Sequence, residues 1–512
     1  MPGINVSTGV RVGPQGADAA PSSTLFLTGI AERGPINRAR MILSVNQFEA
    51  IYGGYTSTAT LHDSVRTFFE EGGTRVYVAR VLGDGSPTPA PATASILGAA
   101  SAVSFTVTAA SPGTWANSSA GPPALDGLKV ITAVASSKLS VTITYRGETI
   151  FSAGPWGDEV QPNGDIKSAS QFAVEAINGS AALTEYIIAE AGVDVEVIPT
   201  AATTNLTSGT NGDAVTAAAL VAGLDLFDYD FGPGAVAIPG SSGTTIWDGL
   251  RDHAVANRRI ALCAFADGET ASGALGDSDF NAYYGDTETE RTEGSYMAFF
   301  WPWVNVPDGF GGTRLQSPEA FAAAARAKAI RSNGPWRAGA GNISTARYIA
   351  GLAETVTRTT GDTLDAGRIN ALRVVNGAVQ VYGARSVSAD ETNWRFITYR
   401  DTINYIIGLA ENALEPLVFR PIDGRGNLFG EVEAILTAVV DPIRAVGGLY
   451  EGFDSATGQP VDPGYSVQAS SVNNPTVSLA NGVVTADIGV RVSPISDQIN
   501  VTITKSSLTA TV

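Results

Sequence analysis

The stretch from residue 61 to residue 81 reads LHDSVRTFFEEGGTRVYVARV and joins a helix pattern directly to a strand pattern. Its apolar side chains recur at helical spacing at Leu61, Val65, Phe68 and Phe69. Gly72 and Gly73 end this pattern, since glycine readily adopts the left-handed conformation that closes a helix. The run VYV at 76–78 then begins a strand. A helix that leads into a strand in this way predicts an α/β fold, in which helices cover a sheet.

The residues before this stretch extend the same pattern. The run LFL at 25–27 predicts a strand, and Ser44 with Gln47 forms a capping-box sequence that opens a helix. The apolar face of that helix consists of Phe48, Ile51 and Tyr52. We therefore predict a compact α/β unit over residues 24–82.

The amino-acid composition changes after this unit. Residues 83–205 are rich in Ala, Ser, Thr, Gly and Pro, with short β-branched runs at 105–107, 129–131 and 139–144. They predict an inserted β-rich domain, and the proline-rich run at 87–91 predicts a stiff hinge into it.

Residues 206–366 return to alternating helices and strands. Helices are predicted at 214–223 and 246–256, and strands at 235–238 and 260–265. Such alternation favours a mostly parallel sheet covered by helices. Cys263, the one cysteine of the chain, lies in the second strand and is expected to pack in the core.

Residues 367–495 form the last predicted domain. It starts with a hairpin around Asn376-Gly377, a favoured turn dipeptide. Two amphipathic helices follow, one ending at Pro416 and one reaching Pro442, and strands resume from residue 465.

Both ends of the chain carry strand-patterned arms, within residues 1–23 and 496–512. Their apolar side chains alternate with polar or small ones at Ile4, Val6, Val10, Val12, Ile499, Val501 and Ile503. A terminal strand needs a sheet to pair with, and residues 13–23 offer it almost no apolar partner. Another copy of the chain is the favoured partner, and pairing within the same chain is the alternative.

Charge narrows the classes of partner. The net charge of −18 and the pI near 4.6 argue against nucleic acid, because phosphates would be repelled. Residues 314–444 are locally different, with fifteen Lys/Arg against thirteen Asp/Glu. No basic segment followed by a hydrophobic stretch opens the chain, and no apolar run reaches about eighteen residues, so neither a signal peptide nor a membrane span is expected.

The residues that usually carry catalysis are sparse. His62, expected on the polar side of its helix, and His253 lie outside any catalytic motif, and no nucleophile elbow or phosphate loop occurs. We expect no enzyme activity and no cofactor. A hydrolase stays open as an alternative, as does a carbohydrate-binding protein that uses Trp115 and Trp156.

Two charged segments have two interpretations each. Asp277, Asp279, Asn281 and Glu288 have the spacing of a calcium loop, but Ala282 replaces the required glycine, so a solvated acidic loop is the alternative. Arg326, Lys328 and Arg331 crowd the C-terminal half of a helix that starts near Pro318. They form either a binding ridge or a complement to the helix dipole.

The N-terminal half of the chain resembles the contractile tail sheath proteins of bacteriophages. The resemblance rests on PGINV at 2–6, FLTG at 26–29, ERGP at 32–35, SVNQF at 44–48, FFEEGG at 68–73 and RVYVARV at 75–81. In the C-terminal half, WRFITYR at 394–400 and LVFRP at 417–421, with a helix on each side of the latter, resemble the inner domain of that family. The similarity covers residues 24–82 and 206–505.

The resemblance implies a multidomain, mixed α/β core with an inserted β-rich outer domain and terminal strand arms. It implies a structural, homo-oligomeric protein of the virion tail, assembled in the host cytoplasm, that contracts to drive a tube through the host envelope. Its implied partners are further copies in stacked hexameric rings, the tail tube protein, and the baseplate and tail terminator proteins, without nucleic acid or membrane insertion. Arg326, Lys328 and Arg331 become candidates to face the tube. The sheath of a phage-derived injection device or bacteriocin fits equally.

Overall fold

The computed structural model describes residues 22–119, 126–309, 311–497 and 501. Its strands, numbered in chain order, are β1 Leu25–Gly29, β2 Arg40–Ile42, β3 Val76–Arg80, β4 Thr93–Leu97, β5 Val103–Ala109, β6 Leu128–Ala135, β7 Lys138–Tyr145, β8 Glu148–Trp156, β9 Glu159–Val160, β10 Ile166–Lys167, β11 Ile187–Ala191, β12 Ala202–Asn205, β13 Ala235–Ala237, β14 Ile260–Ala264, β15 Met297–Trp301, β16 Val304–Pro307, β17 Thr313–Gln316, β18 Gly351–Leu352, β19 Ile369–Val375, β20 Ala378–Tyr382, β21 Gly452–Phe453, β22 Pro460–Asp462, β23 Tyr465–Gln468 and β24 Asp487–Val490. The α-helices are α1 Val45–Tyr52, α2 Leu61–Glu70, α3 Ala169–Asn178, α4 Ala217–Ala222, α5 Thr244–Asn257, α6 Ala271–Gly276, α7 Ser278–Ala282, α8 Glu288–Gly294, α9 Glu319–Asn333, α10 Arg358–Ala366, α11 Ile397–Leu414, α12 Asn427–Ala445 and α13 Thr476–Ala480.

The centre of the molecule is one eight-stranded sheet with the order β2-β3-β1-β13-β14-β15-β19-β20. Its six inner strands pair in parallel, and β2 and β20 close the two edges as antiparallel strands. Helices α1, α2 and α9 cover one face, and α5 with the helices around it covers the other. The predicted parallel, helix-covered sheet is confirmed, and Cys263 is buried within β14.

The stretch from residue 61 to residue 81 folds as its pattern predicts. In α2, Leu61, Val65 and Phe68 are fully buried. Gly72 follows with a φ of 98°, and a side chain at Gly73 would come within 2.3 Å of the Phe68 ring. Both glycines are therefore required where the chain turns from helix to strand.

The predicted hairpin forms at Asn376-Gly377 but belongs to a different unit. Strand β19 pairs in parallel with β15, so the hairpin completes the edge of the large sheet instead of opening a C-terminal domain. The C-terminal unit starts at α11, which packs with α12 over two small apolar clusters. Its 417–421 segment is not a strand, because Phe419 has a φ of 65° and is fully exposed.

The β-rich insertion has a hydrophobic cluster of its own. That cluster draws only on residues between Ala92 and Leu206, and it includes Trp115. Trp156 is partly buried against the same cluster, which leaves little aromatic surface for a carbohydrate. Polar groups connect the insertion to the rest of the chain: the Arg33 guanidinium lies 4.0 Å from the Tyr186 ring centroid, Arg80 donates to the carbonyl oxygen of Pro112, and Arg40 pairs with Glu185 at 2.6 Å.

Excising the insertion should leave a soluble, folded core, because the two hydrophobic clusters do not share members. The amide of Gly83 donates to the carbonyl of Asn211 at 3.2 Å, so a short Gly/Ser linker can replace residues 84–210. We expect a cooperative unfolding transition, measured by circular dichroism. Excision removes Tyr186, which covers the Arg33 guanidinium. A second deletion variant therefore also carries Arg33→Ser, so that no uncovered guanidinium remains. Aggregation of both versions would show that the insertion and the sheet form one cooperative core.

Candidate assembly surfaces

The C-terminal unit contains a strand pair whose outer edges are open as far as the described residues go. Strands β23 and β24 pair antiparallel with each other, and no further strand in the described part of the chain joins them. One face packs against α12 through Val467, Ile488 and Val490. A two-stranded sheet is marginally stable alone, and its free N–H and C=O groups invite another strand.

The strand-patterned arms fall almost entirely outside the described residues, namely Ile4, Val6, Val10, Val12, Ile499 and Ile503. Val501 is described and is 76% exposed. The ends of the described segments lie near the start of α11. Ser22 contacts Arg326, which pairs with Asp401 on α11, and Asp497 pairs with Arg395 at 2.8 Å. Both arms therefore depart from the same region of the subunit.

Arg326 joins α9, α11 and the N-terminal segment. Its Nε donates to Asp401 Oδ2 at 2.7 Å, its Nη2 donates to Oδ1, and its Nη1 donates to the carbonyl oxygen of Ser22. Burial raises the pKa of Asp401, and Arg326 opposes that rise. The sequence placed Arg326 among the surface candidates, and its burial corrects that placement.

The other two basic candidates contact the end of α2. Lys328 Nζ lies 3.8 Å from Oε2 of Glu71, a fully buried carboxylate whose Oε1 accepts the amides of residues 347–349. Burial lowers the pKa of Lys328. Arg331 donates to the carbonyl oxygen of Gly72 and remains exposed. Of the three candidates, Arg331 is the one with an exposed side chain.

Neither histidine is arranged for catalysis. His62 is buried, contrary to the polar position expected, with its ring nitrogens 3.1 Å from Asp63 and from Glu49. His253 Nε2 lies 2.8 Å from Arg259 Nη1, so it accepts a hydrogen bond in the neutral form. Burial and Arg259 lower the pKa of His253 to about 3.

The acidic segment does not form a calcium loop. Asp277 caps α7 by accepting the amides of Asp279 and Phe280, and Asp279 accepts from the Thr244 hydroxyl at 2.6 Å. Asn281 lies within α7 and Glu288 begins α8. The described residues contain no cluster of three or more His, Cys, Asp or Glu side chains placed to hold a metal ion.

Glu319 is a buried acid that its sequence context does not reveal. It opens α9 with 1% exposure, and its Oε1 accepts the amide of Gly240 at 3.4 Å. Burial raises the pKa of its carboxyl to about 7. A carboxyl next to a helix N-terminus ordinarily ionises readily, so desolvation dominates here.

We expect Glu319 to make the fold less stable as the pH rises. Its pKa is higher in the folded chain than the ordinary 4.5, so its contribution is fully present below pH 4.5 and is lost as the pH rises through 7. The loss amounts to about 3 kcal/mol. Glu319→Gln should remove this component, measured as the difference in urea-unfolding free energy between pH 5 and pH 8. Glu354→Gln, at an exposed site, is the control, and an equal pH dependence in both variants would contradict the assignment.

The fold and the surfaces define a multidomain α/β protein whose C-terminal unit, in the part of the chain that the structure describes, offers open strand edges. No family model and no curated protein matches the sequence. Among solved structures, the chain is similar to the sheath tail protein of Listeria innocua, with 14% identity and a TM-score of 0.59 over 90% of this chain and 92% of that one. The sheath tail protein of Desulfitobacterium hafniense matches with 13% identity and a TM-score of 0.57, over 92% and 93%.

An extracellular contractile injection system shows the same likeness. The sheath complex of the extracellular contractile injection system PVC, in its contracted state, matches with 15% identity and a TM-score of 0.53 over 99% of this chain and 98% of that one. This chain therefore has the fold of the contractile sheath proteins, as its sequence motifs implied. In the described residues, no helix is long and apolar enough to cross a membrane.

Proposed function

We propose that this protein is the structural subunit of a contractile tail sheath, which polymerises as stacked rings around a tail tube and contracts to drive the tube through a host envelope. The observation that carries the proposal is the open-edged strand pair β23–β24 in a chain with a strand-patterned arm at each end. Each open edge can accept a strand, and each subunit has two strand-patterned arms to offer. The fold likeness to sheath proteins over nearly the whole chain supports the same function.

Exchange of strands between copies suits a sheath that changes length. The N-terminal arm is joined to the compact body by residues 13–23, which have almost no apolar side chain. Such arms keep subunits connected while the compact bodies move between two packings. Contraction then follows from the free-energy difference between the two packings. The extended form is the higher in free energy, and it is held extended until a signal from the baseplate lets it contract.

The test is assembly of the purified full-length chain, alone and with its tube protein, followed by negative-stain electron microscopy. We expect hollow tubes with stacked rings. A chain that stays monomeric under all these conditions, with folded circular dichroism spectra, would contradict the proposal.

A phage-derived injection device or bacteriocin is the second candidate, because the PVC sheath shares the fold. Capsid and terminase genes beside the gene for this chain would identify a phage tail. Their absence, together with genes for a baseplate and a tube, would identify a device.

The tube-facing surface in this proposal lies on the less acidic part of the chain, around the C-terminal end of α9. Arg331 is the exposed candidate there, with Lys328 beside it, and an acidic tube exterior is the expected partner. Rim charge pairs contribute roughly 0 to 1 kcal/mol each, so several can break together as a ring widens.

Arg331→Glu should weaken binding of the sheath to tubes at low salt and leave polymerisation of the sheath intact. Lys328 is unsuitable for reversal, because a carboxylate there would face the buried Glu71. The matched control is Arg358→Glu, at a side chain that is 86% exposed. Co-sedimentation with tubes is the measurement, and equal binding by both variants would remove Arg331 from the tube surface.

A further inference from the structure

An apolar groove of about 610 Å³ runs between α11 and α12. Its main lining residues are Trp336, Tyr405, Leu409, Val439, Pro442 and Ile443. Val446 at its border is 65% exposed. A contiguous apolar surface of this kind on a soluble subunit indicates a docking site.

The N-terminal segment leaves the described fold beside this groove. The carbonyl oxygen of Ser22 is held by Arg326, which also pairs with Asp401 on α11. Tyr405 follows one helical turn after Asp401 and Leu409 two turns after it, at roughly 6 and 12 Å along the helix. The ten residues from Val12 to Ser22 span up to roughly 35 Å when extended, so the arm easily reaches the groove.

We propose that, in the free subunit, the N-terminal arm docks in cis in the groove between α11 and α12, with Val10 and Val12 against its apolar wall. The alternation of the arm places these two valines on one side and Arg11 on the other, toward solvent. The tether gives the arm an effective concentration of roughly millimolar at the groove, so apolar contacts with an intermolecular Kd below about a millimolar keep it docked.

While it is docked in the groove, the arm cannot pair with the sheet of a neighbouring subunit. A sheet edge on a neighbour offers backbone hydrogen bonds that the groove does not, so a growing sheath displaces the arm from the groove. Isolated subunits then polymerise slowly, and addition to an existing ring is favoured. This consequence rests on the proposed function, whereas docking in cis does not.

A disulfide crosslink tests the docking. The full-length double variant Val12→Cys, Val439→Cys is oxidised as a dilute monomer, with native Cys263 buried at 1% exposure. We expect an intrachain disulfide whose yield does not change on about tenfold dilution, since the pair is tethered. The control pair is Val12→Cys with Val193→Cys, at an exposed position in the insertion, and it should give little crosslink.

Two results would overturn the proposal. The first is an intrachain disulfide yield for Val12→Cys, Val439→Cys that is no higher than that of the control pair, together with no intrachain disulfide in the variant Val10→Cys, Val439→Cys. The other is interchain dimers alone, lost on dilution, which would assign the groove to the arm of a second copy.

The kinetics of assembly supply a separate readout. Val439→Asp places a charge in the groove, frees the arm and should shorten the lag before polymerisation several-fold, in the opposite direction to removal of the arm. Val193→Asp is the control at a 91% exposed position. An unchanged or longer lag for Val439→Asp relative to that control would contradict the proposal. Failure of the wild-type chain to polymerise at all would contradict the proposed function, and the crosslink would still test docking.

Discussion

Deletion of residues 1–13 should abolish tube formation and leave a folded monomer. The deleted residues include Ile4, Val6, Val10 and Val12, which form the apolar side of the arm. Without them the open edges of β23–β24 on a neighbouring copy gain no N-terminal strand, and each subunit loses one of its two tethers. Sedimentation and negative-stain microscopy measure the loss, and circular dichroism verifies the fold.

The C-terminal arm allows a sharper version of the same experiment. Val501→Asp with Ile503→Asp puts two charges on the apolar side of the arm, at a cost of several kcal/mol if that side is buried in a neighbour. Asn500→Asp with Thr502→Asp adds the same charge on the opposite side of the same strand. We expect the first pair to prevent assembly and the second to permit it. Normal long tubes from the first pair, or from the chain without residues 1–13, would show that the arms do not hold the sheath together.

Asp401→Ala should cost roughly 3 to 5 kcal/mol of unfolding free energy, because it leaves the guanidinium of Arg326 buried and unpaired. The lost contact also loosens the point where Ser22 is held between α9 and α11. Urea unfolding of the full chain measures the effect.

The exposed pair Arg358–Asp362 provides the matched control for this experiment. Its side chains are 86% and 70% exposed, so Asp362→Ala should cost less than about 1 kcal/mol. The double variant Arg326→Met, Asp401→Leu should recover much of the loss, since apolar side chains of similar volume replace a buried ion pair well. Equal losses of unfolding free energy for Asp401→Ala and Asp362→Ala would mean that the buried ion pair contributes no more to stability than the exposed one.

Several features of the fold were predictable because a short segment carries all of the information. The side chain of Ser44 accepts from the Gln47 amide at 3.2 Å, which is the N-cap half of the predicted capping box. Gln47 Oε1 accepts from the Leu43 amide at 2.8 Å, one residue before the N-cap. The Asn376-Gly377 turn forms with positive φ at both residues. These elements are decided by neighbours a few residues apart.

The amphipathic pattern of α2 misled in one respect. We predicted His62 on the polar side of the helix, but at about 100° per residue it lies at the edge of the apolar face, three residues before Val65. In the fold that side is also covered, by Glu49 from α1 and by Tyr55, whose ring centroid is 6.2 Å from that of the imidazole. A polar residue on a helix surface becomes buried when another element packs over it.

By itself, the sequence determined the α/β class, the β-rich insertion, most of the helices and strands, and the motifs that resemble contractile sheath proteins. Periodicity, caps and turns are local properties, and free energies within a few residues are enough to select them. The tertiary structure alone decided that Arg326 is buried against Asp401 and not exposed beside Arg331, and that the 369–382 hairpin joins the large sheet. It also decided that no other strand among the described residues pairs with β23–β24. Each of these depends on which distant segment arrives at a given surface, because the same arginine is a solvated charge or a buried ion pair according to the partner that packs over it.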